Sequence, residues 1–383
     1  MASNLPDGAP PLDRSLFAVT RSHAYLNHAA VGVLPIPTAA ALHEFIDAQA
    51  RGGVLGTFPY EAEMAQYRAV VARSIGARSS EIAILRNTSE GANAIAAGLN
   101  WSPGDEVLLP ADEFPSNALP WRRLRNRGVL VRELDVTQER LTPERLDREI
   151  GDRTRLVTLS WIAYADGYRH DLAGLAKVAH SHGALFVVDA IQGLGALELD
   201  VERCGVDALY AGGAKWLCAL QGSALLYVAP TLLERLDVAA PGWRTPADMW
   251  DFHNESQGWI GDTTRFEGGT PNFIGALSLA RSLDLFASVG IARIERHVLA
   301  LRSHLLTGLR DLGATVVTNA EESVGSGIVT FSFSNRESVT LGRELQREGF
   351  VTTWRTNGIR VSPHGYNEHA EIDAFLLALA RAL

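Results

Sequence analysis

Cysteine is nearly absent. Cys204 and Cys218 are the only two in 383 residues, too few for a disulfide framework or, by themselves, a metal cage. No apolar run approaches the roughly 18 residues that a membrane span requires. Positive charge is not in excess: the formal net charge is −9, which argues against nucleic acid as a partner because phosphate contacts need a basic face. Between Met1 and Pro11 no basic stretch leads into an apolar one, so no signal peptide is expected. Nucleotide motifs are missing too. Lys215 is followed by Trp216 rather than completing Gly-x-x-x-x-Gly-Lys-Ser/Thr, and no Gly-x-Gly-x-x-Gly opens a helix. What is there is ordinary globular composition, 46% hydrophobic and 21% charged, in a chain long enough for a large core and two domains. A cytoplasmic enzyme without a membrane span is the expectation.

The pattern along the chain sets the fold class. Residues 1–20 read as an arm. Ala24 to Gly32 is extended and ends in small residues, which let backbone approach a neighbouring helix or a ligand closely. Helical spacing of Ala41, Leu42, Phe45 and Ile46 predicts a helix over 37–50, then a Gly-rich connection over 52–56 and a second helix over 61–75. From Glu81 short apolar runs alternate with helices. Strands are expected at 82–85, 107–109, 129–131, 156–159, 185–188, 208–210 and 224–228, with helices at 90–99, 118–127 and 172–182. Thr142-Pro143 carries helix-start chemistry, an N-cap followed by proline at the first helical position. This alternation means α/β, a mostly parallel sheet covered on both faces. A long irregular stretch over 239–264 follows, then helices at 274–286 and 291–309 and a smaller α/β tail over 315–383.

Three stretches carry chemistry. Lys215 sits among small and aromatic neighbours in Gly212-Gly213-Ala214-Lys215-Trp216. Alone, such a lysine is ordinarily solvated at a strand end; held in a dry pocket, its amine can form a Schiff base with a carbonyl cofactor. Asp189 ends an apolar strand, where open α/β sheets bind ligands. It is either a turn cap or a carboxylate facing a cation such as a pyridinium nitrogen. In Arg86-Asn87-Thr88-Ser89-Glu90-Gly91 a strand hands over to a helix, so the hydroxyls are plain N-caps or the seat of a phosphate.

In combination these resemble the class V aminotransferase group of pyridoxal-phosphate enzymes. The resemblance runs from Tyr25-Leu26-Asn27-His28 to His364-Gly365-Tyr366-Asn367. It is strongest in Asp189-Ala190-Ile191-Gln192, in Gly212 to Leu217 and in Arg265-Phe266-Glu267-Gly268-Gly269-Thr270-Pro271-Asn272. It implies the fold-type I architecture, with an arm over 1–23, a large cofactor-binding domain over 24–265 and a small C-terminal domain over 266–383. Pyridoxal 5'-phosphate is the implied cofactor. Lys215 would be the Schiff-base lysine and general acid/base, Asp189 would pair with the pyridine nitrogen and Gln192 would reach the ring hydroxyl. Thr88 and Ser89 would hold the phosphate, Thr270 would reach the phosphate of a neighbouring subunit, and Phe114 would stack on the ring. Arg360, or else Arg355, would clamp the carboxylate of an amino-acid substrate. His28, Tyr60, Trp243 and Arg244 are candidates near Cα. A homodimer with shared active sites is implied as well.

Within the group, Gly358-Ile359-Arg360-Val361-Ser362-Pro363-His364 and the Phe-Pro after Glu113 look most like the isopenicillin N epimerase branch, with kynureninase next. Arg355 and Arg360 are joined with no intervening cysteine, and Ala214 stands where cysteine desulfurases carry histidine. The expectation is therefore epimerase or aminotransferase chemistry at Cα, not a persulfide-type cysteine desulfurase. The alternatives are a lyase acting by β- or γ-elimination or C–S cleavage, and a protein that keeps the fold but has lost the chemistry.

Overall fold

The computed structural model describes residues 9–254 and 256–383; part of the expected arm, residues 1–8, lies outside them. In chain order the strands are β1 (Ala24–Tyr25), β2 (Ile82–Leu85), β3 (Glu106–Pro110), β4 (Leu130–Leu134), β5 (Thr154–Ser160), β6 (Leu185–Asp189), β7 (Ala208–Gly212), β8 (Ala224–Val228), β9 (Thr315–Val316), β10 (Val329–Ser332), β11 (Phe350–Val351), β12 (Thr353–Arg355) and β13 (Gly358–Val361). The helices are α1 (Ile36–Gly52), α2 (Val54–Arg73), α3 (Thr88–Gly98), α4 (Pro115–Arg123), α5 (Pro143–Glu149), α6 (Leu172–Ser181), α7 (Val201–Cys204), α8 (Pro230–Leu233), α9 (Phe273–Val289), α10 (Ile291–Asp311), α11 (Ser338–Arg347) and α12 (His369–Ala382).

Seven strands form the central sheet in the order β2-β8-β7-β6-β5-β3-β4. Only β8 runs against the others. Along β6 the side chains alternate between two cores. Phe186 and Val188 join the cluster that holds α1, α2, α6 and α9, and Leu185 and Val187 join the one under α3 and α4. Both faces are dry, which is why these strands read as unbroken apolar runs.

A smaller antiparallel sheet, β12-β13-β10-β9, packs against α10, α11 and α12. Helix α9 buries Leu277, Leu279, Leu283 and Phe286 in the core of the central sheet, and α10 contributes to both cores, with Ile294 and Val298 on one side and Leu301 and Leu305 on the other. The N-terminal strand β1 pairs in parallel with β11. An N-terminal segment thus joins the C-terminal part of the chain beside the small sheet.

One expectation fails locally. The Gly-rich connection shrinks to Gly53 (φ 52°), and α2 begins at Val54. Gly56 is helical because α1 and α2 cross closely there; a Cβ on it would lie 2.0 Å from the Ala48 carbonyl oxygen. Glycine here serves packing, not a turn.

Candidate active site

Five strand ends deliver the site to one edge of the sheet. Thr88 follows β2, Glu113 follows β3, Ser160 closes β5, Asp189 closes β6 and Lys215 follows β7. Because β2, β3, β5, β6 and β7 run the same way, these groups converge at the carboxyl edge, where open α/β sheets bind ligands.

Lys215 rides on a tight frame. Gly213 N–H donates to the Ser223 carbonyl (2.7 Å), Cys218 N–H closes the turn onto the Lys215 carbonyl (3.0 Å), and Gly32 N–H donates to the Ala214 carbonyl (2.7 Å). Cys218 is the one described non-glycine residue with positive φ (49°). A Cβ on Gly32 would sit 2.0 Å from the Lys215 oxygen, so the small residues before Gly32 serve an approach to the lysine turn. Burial lowers the Lys215 amine to about 8; the Asp189 carboxylate pulls the other way and the Arg360 guanidinium adds to the lowering. The Phe114 ring centre lies 5.5 Å from Lys215 Nζ, and Tyr164 meets that ring edge-on at 5.3 Å.

Asp189 is buried, and Ile191 N–H (3.0 Å) is the only hydrogen-bond donor found for its carboxylate among the described residues. Burial lifts it to about 6, against that hydrogen bond and Lys215. A dry carboxylate with so few partners calls for a cation, and a protonated pyridine nitrogen fits. Thr88 and Ser89 open the eleven-residue α3, capped by Asn87, and neither hydroxyl is engaged by another described side chain. Free N–H groups at this helix start suit a phosphate. The residues present therefore fit pyridoxal phosphate: Lys215 for its aldehyde, Asp189 for its nitrogen, Thr88 and Ser89 for its phosphate.

Arg360 lies close enough to Lys215 for its charge to lower the amine. One guanidinium nitrogen donates to the Tyr164 carbonyl (2.8 Å), while its buried Nε has no partner among the described residues. Burial, then the neighbouring Arg355, lowers it to about 10. Arg355 itself is exposed. Thr270 stands on the rim of a cleft of about 840 Å³ shared with Ser89, Asn87 and Trp243. The segment around it is anchored by Glu267, which accepts from Arg68 (2.5 Å) and from Ile84 N–H (2.9 Å).

The other expected residues have protein partners of their own. Gln192 donates to the Ala29 carbonyl (3.1 Å) and accepts from the Trp216 indole (3.0 Å). His28 is fully buried between the Ser362 carbonyl (3.0 Å) and the Tyr366 hydroxyl (2.9 Å), leaving neither ring nitrogen free. Tyr60 packs on Phe45 and Arg244 pairs with Glu61. A cluster that sequence reasoning missed lies behind Phe114: Glu113, Asn117, Ser160 and Tyr210. Its signal was a carboxylate just past an apolar strand, the same pattern that singled out Asp189.

The family model for Aminotransferase class-V matches residues 24–375. The chain belongs to the class V aminotransferase family. Its cofactor is pyridoxal phosphate. A probable cysteine desulfurase from Methanothermobacter thermautotrophicus is 30% identical over 376 residues, covering 92% of each chain. The uncharacterized aminotransferase YcbU of Bacillus subtilis is 28% identical over 95% of each. Among solved structures, the apo cysteine desulfurase of Thermococcus onnurineus superposes with a TM-score of 0.90 at 26% identity, covering 100% of this chain and 99% of that one. A C-DES mutant with glycine covalently linked to its pyridoxal phosphate gives 0.89 at 24% identity, covering 96% and 99%.

These class V relatives overturn one expectation. The exclusion of cysteine desulfurases rested on the short Arg355–Arg360 link and on Ala214, yet relatives matched across almost the whole chain carry that name. A missing loop residue is weak ground for exclusion against similarity that runs over nearly the whole chain.

Proposed function

We propose that this protein is a pyridoxal-phosphate-dependent C–S lyase that breaks the Cβ–S bond of cysteine or of its disulfide, cystine. The observation that carries the reading is the similarity to a probable cysteine desulfurase over 92% of each chain, joined to a site with a largely buried lysine and an arginine Nε unpaired among the described residues.

Bound pyridoxal phosphate supplies an electron sink for a carbanion at Cα. Everything else falls to this chain. Arg360 receives the substrate carboxylate and fixes which bond at Cα faces Lys215. Lys215, an amine lowered to about 8, is free often enough near neutrality to take the Cα proton. The electron pair of that C–H bond becomes the Cα–Cβ double bond as the Cβ–S pair leaves with sulfur. Lys215 is then the group poised to return a proton. Asp189 keeps negative charge at the buried end of the site.

The test is a product assay. Holoenzyme given L-cysteine should release sulfide, and given L-cystine should release cysteine persulfide, in each case with pyruvate and ammonia. Transamination is the second reading, favoured by the similarity to YcbU; it would give a keto acid that keeps its sulfur. Cα exchange in D₂O without loss of sulfur would point to epimerisation and sink the lyase reading. A cytoplasmic homodimer, with Thr270 reaching the partner's cofactor phosphate, belongs to the same proposal.

A further inference from the structure

Glu113 has no place in the chemistry above, yet it is among the most constrained side chains near the site. The residue is half-buried, but its carboxylate turns inward and three donors converge on it. Ser160 N–H reaches Oε1 (2.6 Å), while the Ser160 hydroxyl (2.7 Å) and Asn117 Nδ2 (2.9 Å) reach Oε2. The Asn117 amide cannot turn to relieve this. Its oxygen already accepts from the Tyr210 and Thr158 hydroxyls and from the Trp121 indole, so its NH₂ must face Glu113.

Each donor belongs to a piece of the site. Ser160 lies opposite Asp189 in the β5–β6 register, and the next residue, Trp161, donates its N–H to the Asp189 carbonyl (2.8 Å). Asn117 is in the first turn of α4. Phe114, next to Glu113 in the chain, carries the ring that faces Lys215. One carboxylate therefore joins the β3–α4 turn, the start of α4 and the end of β5. The geometry points to Glu113 as a positioning residue that holds the Phe114 ring at the cofactor site by pinning its turn to the strand beside Asp189. This rests on the pyridoxal phosphate reading of the site, which the wild-type spectrum tests separately.

An amide cannot replace this carboxylate. Glutamine offers one acceptor oxygen to three donors, so its NH₂ must meet either Asn117 Nδ2 or Ser160 N–H. Holoenzymes of wild type, Glu113→Gln, Glu113→Ala, Ser160→Ala and Ser160→Thr are compared by visible circular dichroism per bound cofactor, by pyridoxal phosphate affinity and by kcat and KM. Both Glu113 variants should lose the induced dichroism several-fold and bind the cofactor about tenfold more weakly, the loss of roughly one charged hydrogen bond. Their kcat should fall with little change in KM, since Arg360 is untouched. Ser160→Ala should fall between, and Ser160→Thr, which keeps the hydroxyl, should return towards wild type. Wild-type dichroism and affinity in both Glu113 variants would overturn the assignment. If those variants do not fold, Ser160→Ala indistinguishable from wild type overturns it instead. A wild type that takes up no pyridoxal phosphate sinks the cofactor reading itself, and this inference with it.

Discussion

Lys215 is pulled in opposite directions by its surroundings, and burial wins. Its amine lies at about 8 rather than 10.5, which gives a test before any substrate is added. Lys177, exposed on α6, is the only other lysine in the sequence. Competitive acetylation of apo-protein, read by mass spectrometry, should show Lys215 gaining reactivity with a midpoint near pH 8, with Lys177 as internal reference. Lys215→Ala should abolish the imine absorbance and reduce kcat by at least about a hundredfold. The two arginines separate cleanly. Arg360→Gln should raise KM about 10- to 100-fold, the cost of a charged hydrogen-bond pair, whereas Arg355→Gln should change it far less because Arg355 is exposed. Equal effects from both would show a shared clamp.

At the scale of elements, the lysine turn and the segment around Gly32 form a unit whose tolerance is set by backbone contact. Gly32→Ala places a methyl 2.0 Å from the Lys215 oxygen, so it should cost about 1–3 kcal/mol, read as a lower denaturant midpoint. Beneath this unit His364 accepts no proton easily. It is buried against the Trp216 carbonyl (2.9 Å) and lowered to about 4 by that burial. The sign follows from linkage: the unfolded chain binds the proton first, so the native state loses stability as pH falls from about 6.5 towards 4 and levels off below. His170, also lowered to about 4, adds to the same slope. His364→Gln should flatten the acid limb of a stability-against-pH curve relative to wild type. An unchanged limb would remove His364 from that account.

At the scale of the whole molecule, Trp243, Trp250 and Phe252 are exposed and touch one another, an apolar patch of the kind that marks an interaction surface. Sedimentation should give a species of twice the 41.4 kDa chain mass, and a stable, active monomer would remove Thr270 from the site. The α/β class was legible in the sequence because strands buried on both faces must be apolar along their length. β2 and β8 lie at the residues the pattern marks. Lys215, Asp189 and the Thr88–Ser89 cap were legible because each breaks an apolar run at a strand end. Side-chain partnership was not. His28 and Gln192 stand in motifs that suggest ligand contact, but hydrogen bonds to Ser362 and Tyr366 occupy both ring nitrogens of His28, and those to Ala29 and Trp216 use one donor and one acceptor site of Gln192. The role of Glu113 depends on Ser160, which reaches it from 47 residues away. The sequence by itself determined where the strands of the central sheet lie, with their ends placed to within three residues, since local burial dictates residue type. Tertiary structure alone decided which polar groups at those ends stay open for a ligand, because that depends on donors and acceptors brought together from distant parts of the chain.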